Sequence, residues 1–398
     1  MTKVYKQLSE LGNIVTGKTP STANSELWDG DIPFITPTDI KGYDTYYQES
    51  TERTVSKYGA SKQKKTILPP NTVCVTCIGS TIGKPCITKK ESISNQQINS
   101  IIPNSDNDFR YIYYLIREGL SYFQLVGGGS GSGTPIISKN KFAKFKFPVE
   151  TVLQKQRKIG SILSAYDSLI ENNTKRIRLL EQMAENLYKE WFAYAKIKDY
   201  STEVRLADIL SYSRGLSYSS EDIDCENGND LINLKNIQSY GGFRLDGTKK
   251  YKGKYKKEQV VKEGDLVMGV TDMTQDRRTV GSVALIPNVC CVSVISADLI
   301  KLESEINNVY LYAMFRWGNV SKYISQFANG ANVLHLKPQA LKNIKVMLPT
   351  ESLIAKYVSI VKPMFDTINK LNRANENLAK QRDALLPRLM SGKLEVKA

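Results

Sequence analysis

Leu8-Ser-Glu-Leu-Gly-Asn-Ile-Val-Thr-Gly17 stands near the start of the chain, and Leu206-Ala-Asp-Ile-Leu-Ser-Tyr-Ser-Arg-Gly215 lines up on it without a gap. The correspondence continues outward in order. Ile35-Thr-Pro-Thr-Asp-Ile40 falls on Ile232-Asn-Leu-Lys-Asn-Ile237, Pro70-Asn-Thr-Val73 on Glu263-Gly-Asp-Leu266, and Ile82-Gly83 on Val280-Gly281. Tyr111-Ile-Tyr-Tyr-Leu-Ile-Arg117 falls on Tyr310-Leu-Tyr-Ala-Met-Phe-Arg316, Gly133-Thr-Pro-Ile-Ile137 on Gly330-Ala-Asn-Val-Leu334, and Phe147-Pro148 on Leu348-Pro349. A period of about 200 residues is far longer than a solenoid unit, so it signals a duplicated domain.

Each half divides in two. Residues 1–150 mix short β-type runs, such as Asp31–Ile35 and Thr72–Ile78, with Gly, Pro and Asn punctuation and one helical stretch, Phe109–Leu120. Beyond Pro148 the texture changes. From Leu153 to Phe192 there is no proline, and apolar residues take helical spacing along Tyr166, Ile170, Asn173, Ile177, Leu180, Ala184, Leu187 and Trp191. The corresponding seam in the second half is Met364, Ile368, Leu371, Asn375, Leu378, Arg382, Leu385 and Leu389. Steps of four and three make both heptad seams, and Asn173 and Asn375 are polar positions of the kind that fix register. The expected fold is therefore α+β. Two homologous globular domains, 1–150 and 199–349, are separated by helical spacers, 151–198 and 350–398. Near-identical halves favour an antiparallel coiled coil with pseudo-two-fold symmetry; the alternative is that each helix packs only on its own domain. A helix of about 40 residues is roughly 60 Å long, more than the ~34 Å of one B-DNA turn.

The chain of 398 residues is 41% apolar, with 55 Lys and Arg against 40 Asp and Glu, a net charge of +15 and a pI near 9.3. Such an excess speaks to partners, and the first candidate is a polyanion whose counterions the lysines displace. No run approaches a membrane span, and Met1–Gly12 lacks the apolar core of a signal peptide, so a cytoplasmic location is expected. Cys74 and Cys77, three apart on a strand, face opposite ways, which argues against a metal site.

Motifs that resemble catalytic ones lack their context. Gly12-Asn-Ile-Val-Thr-Gly17-Lys18-Thr19 matches the P-loop pattern, but Pro20 follows at once and the second copy has Arg214-Gly215-Leu216 instead. Lys6–Leu11 before it reads as amphipathic and helix-like. Glu395-Val-Lys397 has no strand context, and the single histidine, His335, leaves no Ser-His-Asp set. The expectation is a protein with no catalytic residues, metal or cofactor of its own.

Two basic clusters occupy comparable places in the halves. Lys62, Lys64 and Lys65 form one; the run Lys249-Lys-Tyr-Lys-Gly-Lys-Tyr-Lys-Lys257, with Lys250, Lys252 and Lys254, forms the other. Lysines on phosphates position a protein without reading sequence. Readout requires amides, acids and guanidinium groups at base edges. The candidates are Thr38, Asp39, Ser80, Thr81, Lys84, Asn95, Gln96 and Gln97 in the first half. In the second they are Lys235, Asn236, Asp272, Gln275, Arg277 and Arg278. The halves agree at apolar positions and differ most at these polar ones. The run Gly127–Gly133 is a flexible loop whose bare amides suit phosphate approach.

These residues together resemble the specificity subunit of type I restriction-modification systems over nearly the whole chain. The resemblance rests on Leu8-Ser-Glu-Leu-Gly12, Thr16-Gly-Lys-Thr-Pro20, Ile32–Ile40, Ile82-Gly-Lys84 and Ser94-Asn-Gln-Gln97. It rests also on Gln154-Lys-Gln-Arg-Lys-Ile159 and Gln381-Arg-Asp-Ala-Leu-Leu-Pro-Arg-Leu-Met-Ser-Gly-Lys393. It implies two target-recognition domains, each reading one half of a split, asymmetric site in double-stranded DNA. It also implies a helical ruler on which two methyltransferase subunits dock, with restriction subunits as further partners. S-adenosylmethionine and ATP would bind those partners, and the methyltransferase would flip the target adenine. A nuclease with its own active site and a coiled-coil adaptor that binds only protein are the rival readings.

Overall fold

Strand pairing in the computed structural model follows the sequence repeat. The structure describes residues 3–40, 46–127, 135–192, 197–224, 227–288 and 292–397. They form two compact units, one of residues 1–175 with 372–398, the other of residues 176–371. Each long helix, Leu153–Phe192 and Glu351–Ser391, contributes a segment to both units.

In the first unit Val4–Gln7 pairs antiparallel with Lys146–Val149, and a one-turn helix, Leu8–Leu11, follows. The helix-like pattern of Lys6–Leu11 is met over Leu8–Leu11, a single helical turn that buries Leu8 and Leu11, while Lys6 and Gln7 belong to the preceding strand. Gly12–Thr16 then enters a sheet ordered Gly12–Thr16, Ile98–Pro103, Val73–Thr76, Pro85–Thr88, Tyr47–Gln48. The backbone amides of the P-loop-like stretch are therefore engaged in a ladder with Ile98–Pro103, not gathered around an anion. A second small sheet holds Arg53–Val55, Trp28–Ile35 and Ile93–Ser94, with Phe34 and Ile35 running parallel to Ile93 and Ser94.

The second unit repeats this wiring. Ser201–Arg205 pairs with Lys345–Pro349, and Leu206–Ile209 is again a single turn. Ser211–Arg214 pairs with Leu299–Glu303, which pairs with Leu266–Gly269. Asn229–Ile232 runs parallel to Ser293–Ile295 and antiparallel to Lys249–Tyr251. Two glycines mark the equivalence. A Cβ at Gly17 would overlap the carbonyl oxygens of Ser94 and Asn95, and one at Gly215 would overlap the carbonyl of Ser296. Both amides donate to the neighbouring long strand, Gly17 to Ile98 at 3.3 Å and Gly215 to Leu299 at 3.1 Å. Gly17→Ala and Gly215→Ala are each expected to cost about 1–3 kcal/mol, the usual cost of overpacking, and thermal melting checks this.

The helical stretch of each half is Phe109–Glu118 and Asn308–Trp317. Asp108 and Asn307 cap them through side-chain oxygens. Their middle residues, Tyr111–Ile116 and Tyr310–Phe315, are buried against strands on one side and the long helices on the other. The first helix stops at Gly119, where a Cβ would strike the Phe147 ring, and Leu120–Gly127 continues as a separate helix.

Within each unit the segments of the long helices run antiparallel. In the first, Asp167 meets Arg382 and Asn173 meets Asn375, so one sequence rises as the other falls. The Asn173 amide donates to the Asn375 carbonyl at 2.9 Å, and Asn375 reaches Thr174 at 3.4 Å. In the second, Tyr357 packs edge-on against Tyr188 and Phe192, while its hydroxyl donates to the Ala184 carbonyl at 3.3 Å. Of the seam positions, Ile170, Ala184, Ile368, Leu371, Arg382 and Leu389 are buried, and Tyr166, Asn173, Ile177, Leu180, Leu187, Trp191, Met364, Asn375, Leu378 and Leu385 are half-buried.

Each of the two shorter helices is fastened by an arginine near its end to the long helix of the opposite half of the sequence. Arg117 pairs with Asp383 at 3.0 Å, and its counterpart Arg316 pairs with Glu181 at 3.2 Å. Packing of each long helix on its own domain alone is thereby excluded.

Candidate nucleic-acid interface

The basic segments lie in equivalent loops. The strand Arg53–Val55 occupies the place of Lys249–Tyr251, since Phe34 faces Arg53 as Leu231 faces Lys249. The next strand pairing in each unit is Leu68 with Ser92 and Val261 with Ser293. Lys62, Lys64 and Lys65 fall between these landmarks in the first unit, Lys252, Lys254, Lys256 and Lys257 in the second, and all are exposed. Lys62 lies over the Tyr58 ring at 4.8 Å.

The start of the second run is different. Lys249 donates to the Tyr218 hydroxyl at 3.1 Å and lies over its ring, and Lys250 pairs with Asp230 at 2.8 Å. Both sit half-buried in a strand that lies between Ile223–Asp224 and Asn229–Ile232, and their side chains are engaged within the fold. Arg53, the counterpart of Lys249, stacks over Trp28 at 3.5 Å. Composition could not single it out, because its place depends on strand register.

The polar candidates separate by what their hydrogen bonds are used for. Thr38, Ser80, Gln96, Lys235, Gln275 and Arg278 are exposed; Thr81, Lys84, Asn95, Gln97 and Arg277 are half-buried. Asp39 and Asn236 are not placed to read bases, contrary to expectation. Asp39 is buried and accepts from the Thr36 amide and hydroxyl and from the Glu52 amide at 2.9 Å. Asn236, fully buried, accepts from the Asn233 amide and donates to the Arg244 carbonyl and the Thr248 hydroxyl. Buried polar groups are satisfied inside the fold, and these two shape equivalent turns after Ile35 and Ile232.

Asp272 is likewise a scaffold. Its carboxylate accepts from the Thr274 amide and hydroxyl and from the amides of Thr279 and Val280. Burial alone would raise its pKa; the Thr279 and Thr274 donors reverse this and hold it below the ordinary carboxylate value. The loop so held carries Gln275, bonded to the Ala331 carbonyl at 2.9 Å, and Arg277, which reaches the Gln326 carbonyl at 3.4 Å. In the first unit the equivalent place is the single turn Gly79–Thr81, whose Gly79 amide donates to the Pro135 carbonyl at 2.9 Å. Of the glycine-rich run, residues 128–133 lie outside the described residues.

Cys74 sits across from Cys86 in one core and Cys77 beside Asn99 in another, so the two sulfurs of the C-x-x-C do face opposite sides of their strand. Among the described residues no cluster of His, Cys, Asp and Glu could hold a metal ion, and no helix is long and apolar enough to cross a membrane. The geometry offers exposed lysines, stacked aromatics and polar loops on a doubled scaffold.

The profile of the type I restriction modification DNA specificity domain matches residues 2–182 and again residues 198–380. The chain is 27% identical to the type I restriction enzyme MjaIX specificity subunit of Methanocaldococcus jannaschii, over 98% of this chain and 93% of that protein. It is 33% identical to the HindI specificity subunit of Haemophilus influenzae over 44% of this chain and 38% of that one. Among solved structures, the S subunit of a type I restriction-modification system from M. genitalium superposes with a TM-score of 0.62 at 15% identity. That match covers 97% of this chain and 95% of the other.

Proposed function

This chain belongs to the type I restriction-modification DNA specificity family, and from that membership we propose how its parts divide the recognition of DNA. The protein recognises DNA sequence. One observation carries the reading of two separate sites of recognition: a single scaffold occurs twice, with the same core strand pairings and matched glycines but different exposed loop residues. Residues 1–150 and 199–349 each read one half of a split, asymmetric duplex site. Residues 151–198 and 350–398 set the spacing between the halves.

The chain supplies the address and its partners supply the chemistry. Two methyltransferase subunits, carrying S-adenosylmethionine, dock on the helical spacer, where Leu169, Leu179 and Met183 of the central helix are exposed. Restriction subunits, driven by ATP, join that complex in the cytoplasm. Lys62, Lys64, Lys65, Lys252, Lys254, Lys256 and Lys257 contact phosphates. Base edges are read by Gln275, Arg277 and Arg278 in the second domain and by Thr38, Ser80, Thr81, Lys84, Asn95, Gln96 and Gln97 in the first.

Replacing Lys252, Lys254, Lys256 and Lys257 by Gln is expected to weaken binding to every duplex alike. The slope of log K against log salt is expected to fall by about 0.9 for each phosphate that a lysine no longer neutralises. Titrations of the chain with methyltransferase at several salt concentrations measure this. An unchanged slope would remove these lysines from the interface. The wider reading is tested by co-expression with a type I methyltransferase subunit and mapping of methylated adenines. A split motif that appears only with this chain supports it, and no motif from a stable complex refutes it.

A further inference from the structure

Tyr240 is an exposed aromatic residue held in a backbone conformation that disfavours it. Its φ is +66°, in the left-handed region, where a bulky side chain is an outlier. The residue is nonetheless 66% exposed, so no burial compensates for the conformation. Gly241 and Gly242 follow with φ of +109° and +113°, values open only to glycine. The turn is fully tied. The Tyr240 amide donates to the Arg278 carbonyl at 2.8 Å, the Gly242 amide to Val283 at 2.9 Å, and the Gln238 amide to Gly242 at 2.9 Å. Beneath it, a Cβ at Gly241 would press on the Arg316 side chain.

Strain kept at an exposed position, with the surroundings arranged to enforce it, points to a use for that side chain. The position is informative too. The Arg278 carbonyl that holds Tyr240 belongs to the loop scaffolded by Asp272, and Arg277 in that loop is also left-handed, with φ +55°. Two strained residues on separate segments are thus locked together beside the guanidinium groups assigned to base reading.

The sequence adds an independent argument. The register that puts Ile35 on Ile232 and Ile40 on Ile237 puts Tyr43 on Tyr240; Tyr43 itself lies outside the described residues. The two halves differ at most polar loop positions yet share a tyrosine here. Two readers of different sequences need different base-edge contacts, so a shared aromatic suits work that any sequence requires. Aromatic stacking on nucleic acid is of that kind, because every base presents a π-face, and apolar or aromatic wedges that open a base step are equally tolerant.

We propose that Tyr240 stacks on the DNA at the second half-site as a sequence-tolerant wedge, beside the loop that reads the bases. This rests on the DNA-reading function above. The test uses the complex of the chain with methyltransferase and a duplex carrying the mapped split motif. Tyr240→Gly is expected to melt no lower than the wild-type chain, since glycine relieves the left-handed strain. Its affinity for the motif duplex should fall about tenfold, the scale of removing one base stack, with the salt slope unchanged because no charge is removed. Tyr240→Phe should bind like wild type. Wild-type affinity in Tyr240→Gly overturns the proposal alone. A changed base identity in the second half of the motif also overturns it, because Tyr240 would then be reading sequence. Loss of methyltransferase assembly with unchanged DNA binding by the chain would assign the residue to a protein interface instead. A wild-type complex that binds the motif duplex no more tightly than a scrambled one overturns the DNA-reading function and this proposal together.

Discussion

Replacing Arg382 by alanine is expected to be among the most destabilising single changes in the chain, at about 3–5 kcal/mol, the cost of breaking a buried ion pair from one side. Arg382 is 1% exposed and Asp167 3% exposed, and the two are ion-paired. Asp167 also accepts from the Tyr114 hydroxyl, and Arg117 lies 3.8 Å away. Burial pushes the Asp167 carboxyl up, and Arg382, Tyr114 and Arg117 pull it back. Without Arg382 that carboxyl keeps its burial and loses its nearest cation. For a unit of this size the loss corresponds to a fall in Tm of roughly 10 °C, read by calorimetry. The double variant Asp167→Leu with Arg382→Met should recover much of it, since a buried pair is often replaceable by apolar residues of similar volume. An Arg382→Ala protein melting within a degree of wild type would mean the pair contributes nothing.

That cluster marks a limit of what the sequence reveals. The repeat, the α+β halves and the two long helices were legible because they rest on periodicity and on matched glycines. Asn173 and Asn375 stood out in the sequence as polar positions in apolar seams, and the structure adds that they meet each other. Arg382 sits in the same seam, but nothing local says that Asp167, 215 residues away, neutralises it. Asp39 and Asn236 were misassigned for a related reason. Residue type says that a side chain can hydrogen-bond and not which way it points; Asp39 turns inward to the Glu52 amide, thirteen residues on. Lys6–Leu11 was read correctly as helical over Leu8–Leu11 but too long by two residues, because Lys6 and Gln7 pair with Phe147 and Lys146. Tyr240 escaped notice because only the structure reveals its left-handed backbone.

The second large effect is expected from exchanging a whole recognition domain. Residues 199–349 begin and end in the paired strands Ser201–Arg205 and Lys345–Pro349, so a homologous domain cut there keeps its own strand closure. It must also keep the arginine that meets Glu181 and the aromatic surface that packs on Tyr357. On the proposed division the loops carry the specificity, so the new domain should bring its own half-site with it. The most direct measurement is single-molecule mapping of methylated adenine in cells that express a methyltransferase with either the parent chain or this exchange. Two readers on one chain predict a split motif in which one half changes completely and the other is untouched. Alteration of both halves, or of neither, would contradict the division of the chain into two independent readers.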